Sequence, residues 1–243
     1  KLAEKCFALA QALHDPDGFG VYAGQYGVAL WLQGRLAELE PVYLDLMRQQ
    51  PEDPLWPAVV AWIALQDGRP ETARGMLARL PDPASIPGSM HSLLNSFTMA
   101  DVVAAVGDDR LVAKMRDVLL PYADRAVPIA MGAACFGMVA RPLGHLAVRL
   151  GRIDEGIAHL EHAIEVAARM GARPWLVDAQ LALAEVLVAS GQDGTGRAHA
   201  LREEATNAAD AMGIPGFANR IDALAKLPRQ ARHRRGSVDL GDT

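Results

Sequence analysis

Five glycines, Gly34, Gly68, Gly107, Gly151 and Gly191, each close an apolar helical stretch and precede a second, amphipathic one. Their separations, by subtraction of residue numbers, are 34, 39, 44 and 40. A period of roughly 34–45 residues marks an array of helical hairpins. A glycine can enter the left-handed region and stop the first helix, so that the second folds back antiparallel. The pattern predicts five hairpins, at 19–50, 54–81, 90–122, 137–170 and 175–212. A helix at 2–14 precedes them and a short one at 217–227 follows. Together these make one helical domain over 1–227.

Composition agrees with helices. Hydrophobic residues are 51% of the chain but aromatics only 5%. The apolar mass is therefore mainly alanine and leucine, the best helix formers, which argues against an all-β sandwich or barrel. The chain is also too apolar to be disordered. The fourth unit shows the logic. Ile153, Ile157, Leu160, Ile164 and Ala167 recur at steps of four, three, four and three, which draws one apolar stripe on a helix. Arg152, Asp154, Glu155, Glu161 and Glu165 fall largely off it. Such a helix buries its stripe only against neighbouring hairpins. Pro128, Gly132 and Gly137 mark a looser link between the third and fourth units, either a hinge or a longer surface loop. The tail over 228–243, with Arg229, Arg232, Arg234 and Arg235, reads as solvated and flexible.

The net charge of −5 argues against general binding to phosphate backbones. None of the four lysines, Lys1, Lys5, Lys114 and Lys226, sits in a Gly-Lys-Ser/Thr triplet, so no P-loop is present. Cys6 and Cys135 lie far apart in apolar stretches and read as buried free thiols of a reducing cytoplasm. No uncharged run reaches the ~20 residues that span a bilayer, and no signal-peptide pattern opens the chain. The reading is a cytoplasmic protein with no membrane and no nucleic-acid partner.

Catalytic patterns are scarce. No Gly-x-Ser-x-Gly occurs and neither cysteine has an evident histidine context. His159 and His162 have the spacing of helical metal ligands, with His145 on the partner helix, but they flank Leu160 and read as solvated. Glu203 and Glu204 read as a polar helix face. Gly191-Gln-Asp-Gly194-Thr-Gly196 follows no strand and reads as an interhelical loop. His14 to Gly18 lacks the remaining ligands of a calcium loop and reads as a turn. No metal and no cofactor is expected, and the chain reads as no enzyme.

The fourth unit resembles a tetratricopeptide repeat. Leu143, Gly144, Gly156, Leu160 and Ala163 fall on the family's positions, with the small residues at the helix crossing, and Gly156 departs from the usual Ala. Gly27, Gly34, Tyr43 and Pro51 match in the first unit, and Ala61, Ala73 and Leu77 in the second. The third and fifth units fit poorly, and the fifth carries an insertion at 192–196. The resemblance implies an all-α, right-handed superhelical solenoid of about five tetratricopeptide-type hairpins, in which the first helices line a concave face. Carried over position by position, that face holds Trp31, Trp62, Phe97, Asp101, Arg141, His145 and Glu185. An aromatic and charged mixture suits a protein or peptide partner, or a small-molecule effector. Ordinary packing between hairpins is the alternative for Trp31, Trp62 and Phe97.

Four strings, 33–40, 120–124, 145–152 and 170–176, resemble the C-terminal helical arms of large actinobacterial regulators. Those proteins join a nucleotide-cyclase or LuxR-type DNA-binding domain to a regulatory ATPase. The resemblance implies a non-catalytic interaction and regulatory arm, with the parent's own ATPase domain as a partner. It transfers no cyclase or ATPase chemistry, and no LuxR-type helix-turn-helix closes this chain. The apolar ends of a solenoid can also pair two copies as a homodimer.

Overall fold

The computed structural model describes residues 2–15, 18–85, 90–129, 132–194 and 196–226. The 228–243 tail lies outside them. The described residues form twelve α-helices and one two-stranded sheet. After α1 (Leu2–Ala12) come α2 (Gly18–Leu32) and α3 (Glu40–Gln49), then α4 (Leu55–Gln66) and α5 (Pro70–Leu77). The pair α6 (Met90–Val106) and α7 (Asp109–Leu119) precedes the sheet. Beyond it lie α8 (Ala140–Arg149), α9 (Ile153–Arg169), α10 (Arg173–Ala189), α11 (Arg197–Met212) and α12 (Ala218–Lys226). None of the described helices is long and apolar enough to cross a membrane.

Four of the five turns share one device. Gly34, Gly68, Gly151 and Gly191 have φ between 71° and 75°. The residue after each donates its N–H to a carbonyl five positions back, for example Arg35 to Leu30 and Arg152 to Ala147. This closes the open carbonyls at the helix end. Gly107 departs from the pattern, because it is absent from the positive-φ glycines. A Cβ there would stand 2.7 Å from the Val103 carbonyl oxygen, so crowding excludes a side chain. Asp108 then caps α7, its carboxylate accepting from Leu111 N at 2.7 Å.

The hairpins pack through small residues where helices cross. Gly144 on α8 and Gly156 on α9 face each other so closely that a Cβ on Gly144 would lie 2.5 Å from Leu160 Cγ. A Cβ on Gly156 would lie 2.5 Å from Val148 Cγ2.

The link between the third and fourth units is neither hinge nor loop but a β-hairpin. Strand β1 (Ala126–Ile129) pairs antiparallel with β2 (Ala134–Met138), with Pro128 opposite Cys135 and Ile129 opposite Ala134. Val127, Ile129 and Phe136 supply β-favouring side chains, and the proline biases its predecessor to extended backbone. The fourth unit's first helix therefore starts at Ala140, not at 137: Gly137 has φ 135°, and Met138 is still in the strand. The hairpin packs against α2, α6, α8, α9 and α10.

The first and last units meet. Phe217 lies 6.2 Å from Trp31, ring centre to ring centre, and the 3-10 turn Pro215–Phe217 packs on α2. A Cβ on Gly216 would stand 2.3 Å from the Trp31 carbonyl oxygen. Repeats of an open array touch only their neighbours; here the C-terminal turn touches α2 as well. The cysteines are free, and Cys6 is exposed on α1 rather than buried, because no residue of α1 is fully covered. Cys135 is half-buried.

Candidate functional site

The inner faces of α6, α8, α10 and α12 meet around a cleft of about 370 Å³. Its floor and walls include Trp31, Asp101, Arg141, His145, Asp178, Glu185, Phe217 and Arg220. A chain of ion pairs runs across it. Arg141 donates from Nη1 to Asp101 Oδ1 and from Nη2 to Asp101 Oδ2, both at 2.8 Å. Its Nε lies 2.8 Å from Asp178 Oδ2 but makes no aligned hydrogen bond. Arg220 donates to Asp178 at 2.6 Å and embraces Glu185 with two bonds of 2.7 and 2.8 Å. His145 Nδ1 stands 3.7 Å from Asp101 Oδ1.

Charge in a dry place must be paired, and here each guanidinium bridges two carboxylates. Burial alone would raise the Asp101 carboxyl, but Arg141 and His145 outweigh it and hold the group well below the usual carboxylate range. The same contest, won by Arg220, lowers Glu185. Burial works to lower Arg141, and Asp101 and Asp178 reverse this. The cleft is thus a fixed mosaic of charge, with three acids and two guanidiniums beside one imidazole. Arg149 adds a further cation at the rim, tied to Asp109 at 3.1 Å.

Five of the seven residues expected on the concave face line this cleft: Trp31, Asp101, Arg141, His145 and Glu185. Trp62 and Phe97 do not. Both are fully buried beneath it. Trp62 donates its Nε1–H to Asp101 Oδ2 at 3.1 Å, and the Arg141 guanidinium sits 4.9 Å above the Phe97 ring. They brace the charged pair from below. Trp31 has both roles, stacking at 4.9 Å on Trp175 and at 5.4 Å on Phe136 while its edge reaches the cleft.

Asp178 and Arg220 were not among the expected residues. The signal for Asp178 was available, as an acid inside the long apolar run of α10. Arg220 lies on α12, which has no counterpart in the repeat. Among the described residues no group of three or more His, Cys, Asp or Glu is placed to hold a metal ion. His162 and His159 are not fully solvated. His162 Nε2 lies 2.6 Å from Asp124, and burial lowers the His159 ring below its ordinary value. Glu204 accepts from Gln180 at 2.9 Å.

No protein-family model, curated protein or solved structure matches this chain.

Proposed function

We propose that the chain is a non-catalytic recognition and regulatory module of the tetratricopeptide type, which takes a protein or peptide segment in the Asp101–Arg141–Asp178–Arg220 cleft. The observation that carries this reading is convergence: four helices, three of them first helices of their hairpins, send charged side chains into one cleft. Its carboxylates are held by guanidiniums, an arrangement suited to recognising a ligand of both charge signs, such as a peptide. The glycine turns and the Gly144–Gly156 crossing support the tetratricopeptide assignment. The resemblance of the 33–40, 120–124, 145–152 and 170–176 strings supports a cytoplasmic arm of a larger bacterial signalling or transcription-regulating ATPase, with that ATPase domain as a partner.

A small-molecule effector is the second reading, and the cleft volume of about 370 Å³ favours it, because that is the size of small-ligand pockets. An effector would act by preferring one of two packings of the arm. A photo-crosslinking residue in place of His145, used in the source cells, separates the two. A discrete protein adduct supports the first reading. A bound mass of a few hundred daltons on the purified chain, without a protein adduct, supports the second. Neither signal, together with turnover of a metabolite that Arg220→Met abolishes, would overturn both.

A further inference from the structure

A second cavity, of about 360 Å³, lies between α2, α3, α4 and the β-hairpin, on the far side of Trp62 from the charged cleft. Among the described residues, its wall contains no charged side chain. Tyr22, Tyr26, Tyr43, Trp56, Trp62 and Phe136 supply most of the aromatic surface, with Val59 and Leu94 among the aliphatic groups. The rings are organised in pairs: Tyr22 stacks on Tyr26 at 5.4 Å, Tyr43 on Trp56 at 6.1 Å, and Phe136 lies 5.1 Å from Trp62.

Glycines keep the α2 wall thin. A Cβ on Gly24 would stand 2.4 Å from Ile129 Cγ2, and one on Gly27 would reach 3.6 Å from the Tyr43 hydroxyl. Val42, 47% exposed, stands where the cavity meets solvent. Folded interiors leave few voids larger than a water molecule, and an apolar cavity of even about 150 Å³ takes up benzene. A space this large, lined by six aromatic rings, is shaped as a binding site rather than as a packing fault.

We propose that this cavity binds an uncharged, mostly apolar small molecule carrying an aromatic ring or a branched hydrocarbon and at most one hydrogen-bonding group. The wall dictates the class. A charged ligand would find no counter-ion, whereas a flat apolar one stacks between Tyr43–Trp56 and Trp62–Phe136, with tyrosine hydroxyls as the available polar partners. The site is independent of the charged cleft and of what that cleft holds. Trp62 stands between them, lining the cavity and donating its Nε1–H to Asp101 of the cleft.

The test is a titration of the purified chain with N-phenyl-1-naphthylamine, an uncharged fluorescent probe. Expected are saturable one-to-one binding and energy transfer from tryptophan to the probe. Val42→Trp at the mouth and Val59→Phe on the wall fill the space and should each weaken probe binding at least tenfold. The melting temperature of each variant shows that it remains folded, and one folded variant suffices. Arg149→Ala, at the charged cleft, should leave the probe affinity unchanged. Probe binding that is absent, that does not saturate, or that persists unweakened in a folded Val42→Trp or Val59→Phe chain overturns the proposal.

Discussion

Arg141 holds Asp101 with both terminal nitrogens at 2.8 Å, joining α6 to α8 across a sequence distance of forty residues. The two side chains are 6% and 7% exposed, so water screens this pair little. Removing one partner leaves an uncompensated buried charge, at a cost of about 3–5 kcal/mol. Arg141→Met should therefore lower stability by about that amount, read from the urea midpoint. Replacing both, as Arg141→Met with Asp101→Leu, should recover part of the loss, because the unpaired Asp101 charge is gone, while Trp62 Nε1–H loses its acceptor and Asp178 keeps Arg220 alone. A double variant as unstable as the single one would show that the pair is not the source of the cost.

Stability should fall with acid in two steps. Burial lowers His159 from its ordinary 6.5, so the folded state keeps the ring neutral while the unfolded state protonates it. Its contribution is complete above pH 6.5 and is lost as the pH drops towards the lowered value. Asp101, Glu185 and Glu155 lie below their ordinary values of 3.8, 4.5 and 4.5. Their contributions are present above those values and vanish as the pH falls through the folded ones. Urea midpoints from about pH 8 to about pH 3 should show both steps. His159→Gln should erase the upper step and spare the lower.

Much of the charged cleft was legible because the repeat fixes a register. Trp62, Asp101, His145 and Glu185 each stand six residues ahead of a turn glycine, at Gly68, Gly107, Gly151 and Gly191. Equivalent positions on successive first helices face the same side, which brings the last three to one cleft. Register says which face a residue takes but not how deep it sits, and so it could not separate Trp62 and Phe97 below the cleft from Trp31 at its edge. The β-hairpin was hidden for another reason. Its residues are glycine, alanine and proline as much as valine and phenylalanine, and without period-2 alternation the segment gives no strand signal. The apolar cavity was invisible because its walls come from α2, α3, α4 and the hairpin, each of which reads as ordinary core. Gly107 carried the right residue type for a left-handed turn, but Asp108 had already supplied the cap for the next helix.

Two glycines within helices should answer the same substitution with opposite signs. Gly75 on α5 has nothing within 4 Å of where a Cβ would lie. Gly75→Ala gains helix propensity and should stabilise by about 0.5–1 kcal/mol. Gly144→Ala gains the same propensity but drives a methyl to 2.5 Å from Leu160 Cγ at the α8–α9 crossing. Overpacking of this kind costs about 1–3 kcal/mol, so the net effect should be destabilising. Thermal melts of the two variants check it. Equal shifts of one sign would mean that α8 and α9 can separate freely.

Gly216→Ala should detach the C-terminal end from α2. The added methyl would lie 2.3 Å from the Trp31 carbonyl oxygen and 2.8 Å from that of Leu32, both backbone atoms of α2 that cannot rotate away. The turn must therefore lift, carrying Phe217 off Trp31 and drawing Arg220 away from Asp178 and Glu185. Elements joined by few contacts open without global unfolding, and α12 touches only α10, α11 and the turn substantially. Hydrogen exchange should show lost protection in α12 and the 215–217 turn, with α4, α6 and α8 unchanged. Tryptophan emission should shift to the red as Trp31 loses Phe217 and meets more water. Uniform loss of protection across all helices would instead make the closing contact part of the global folding unit.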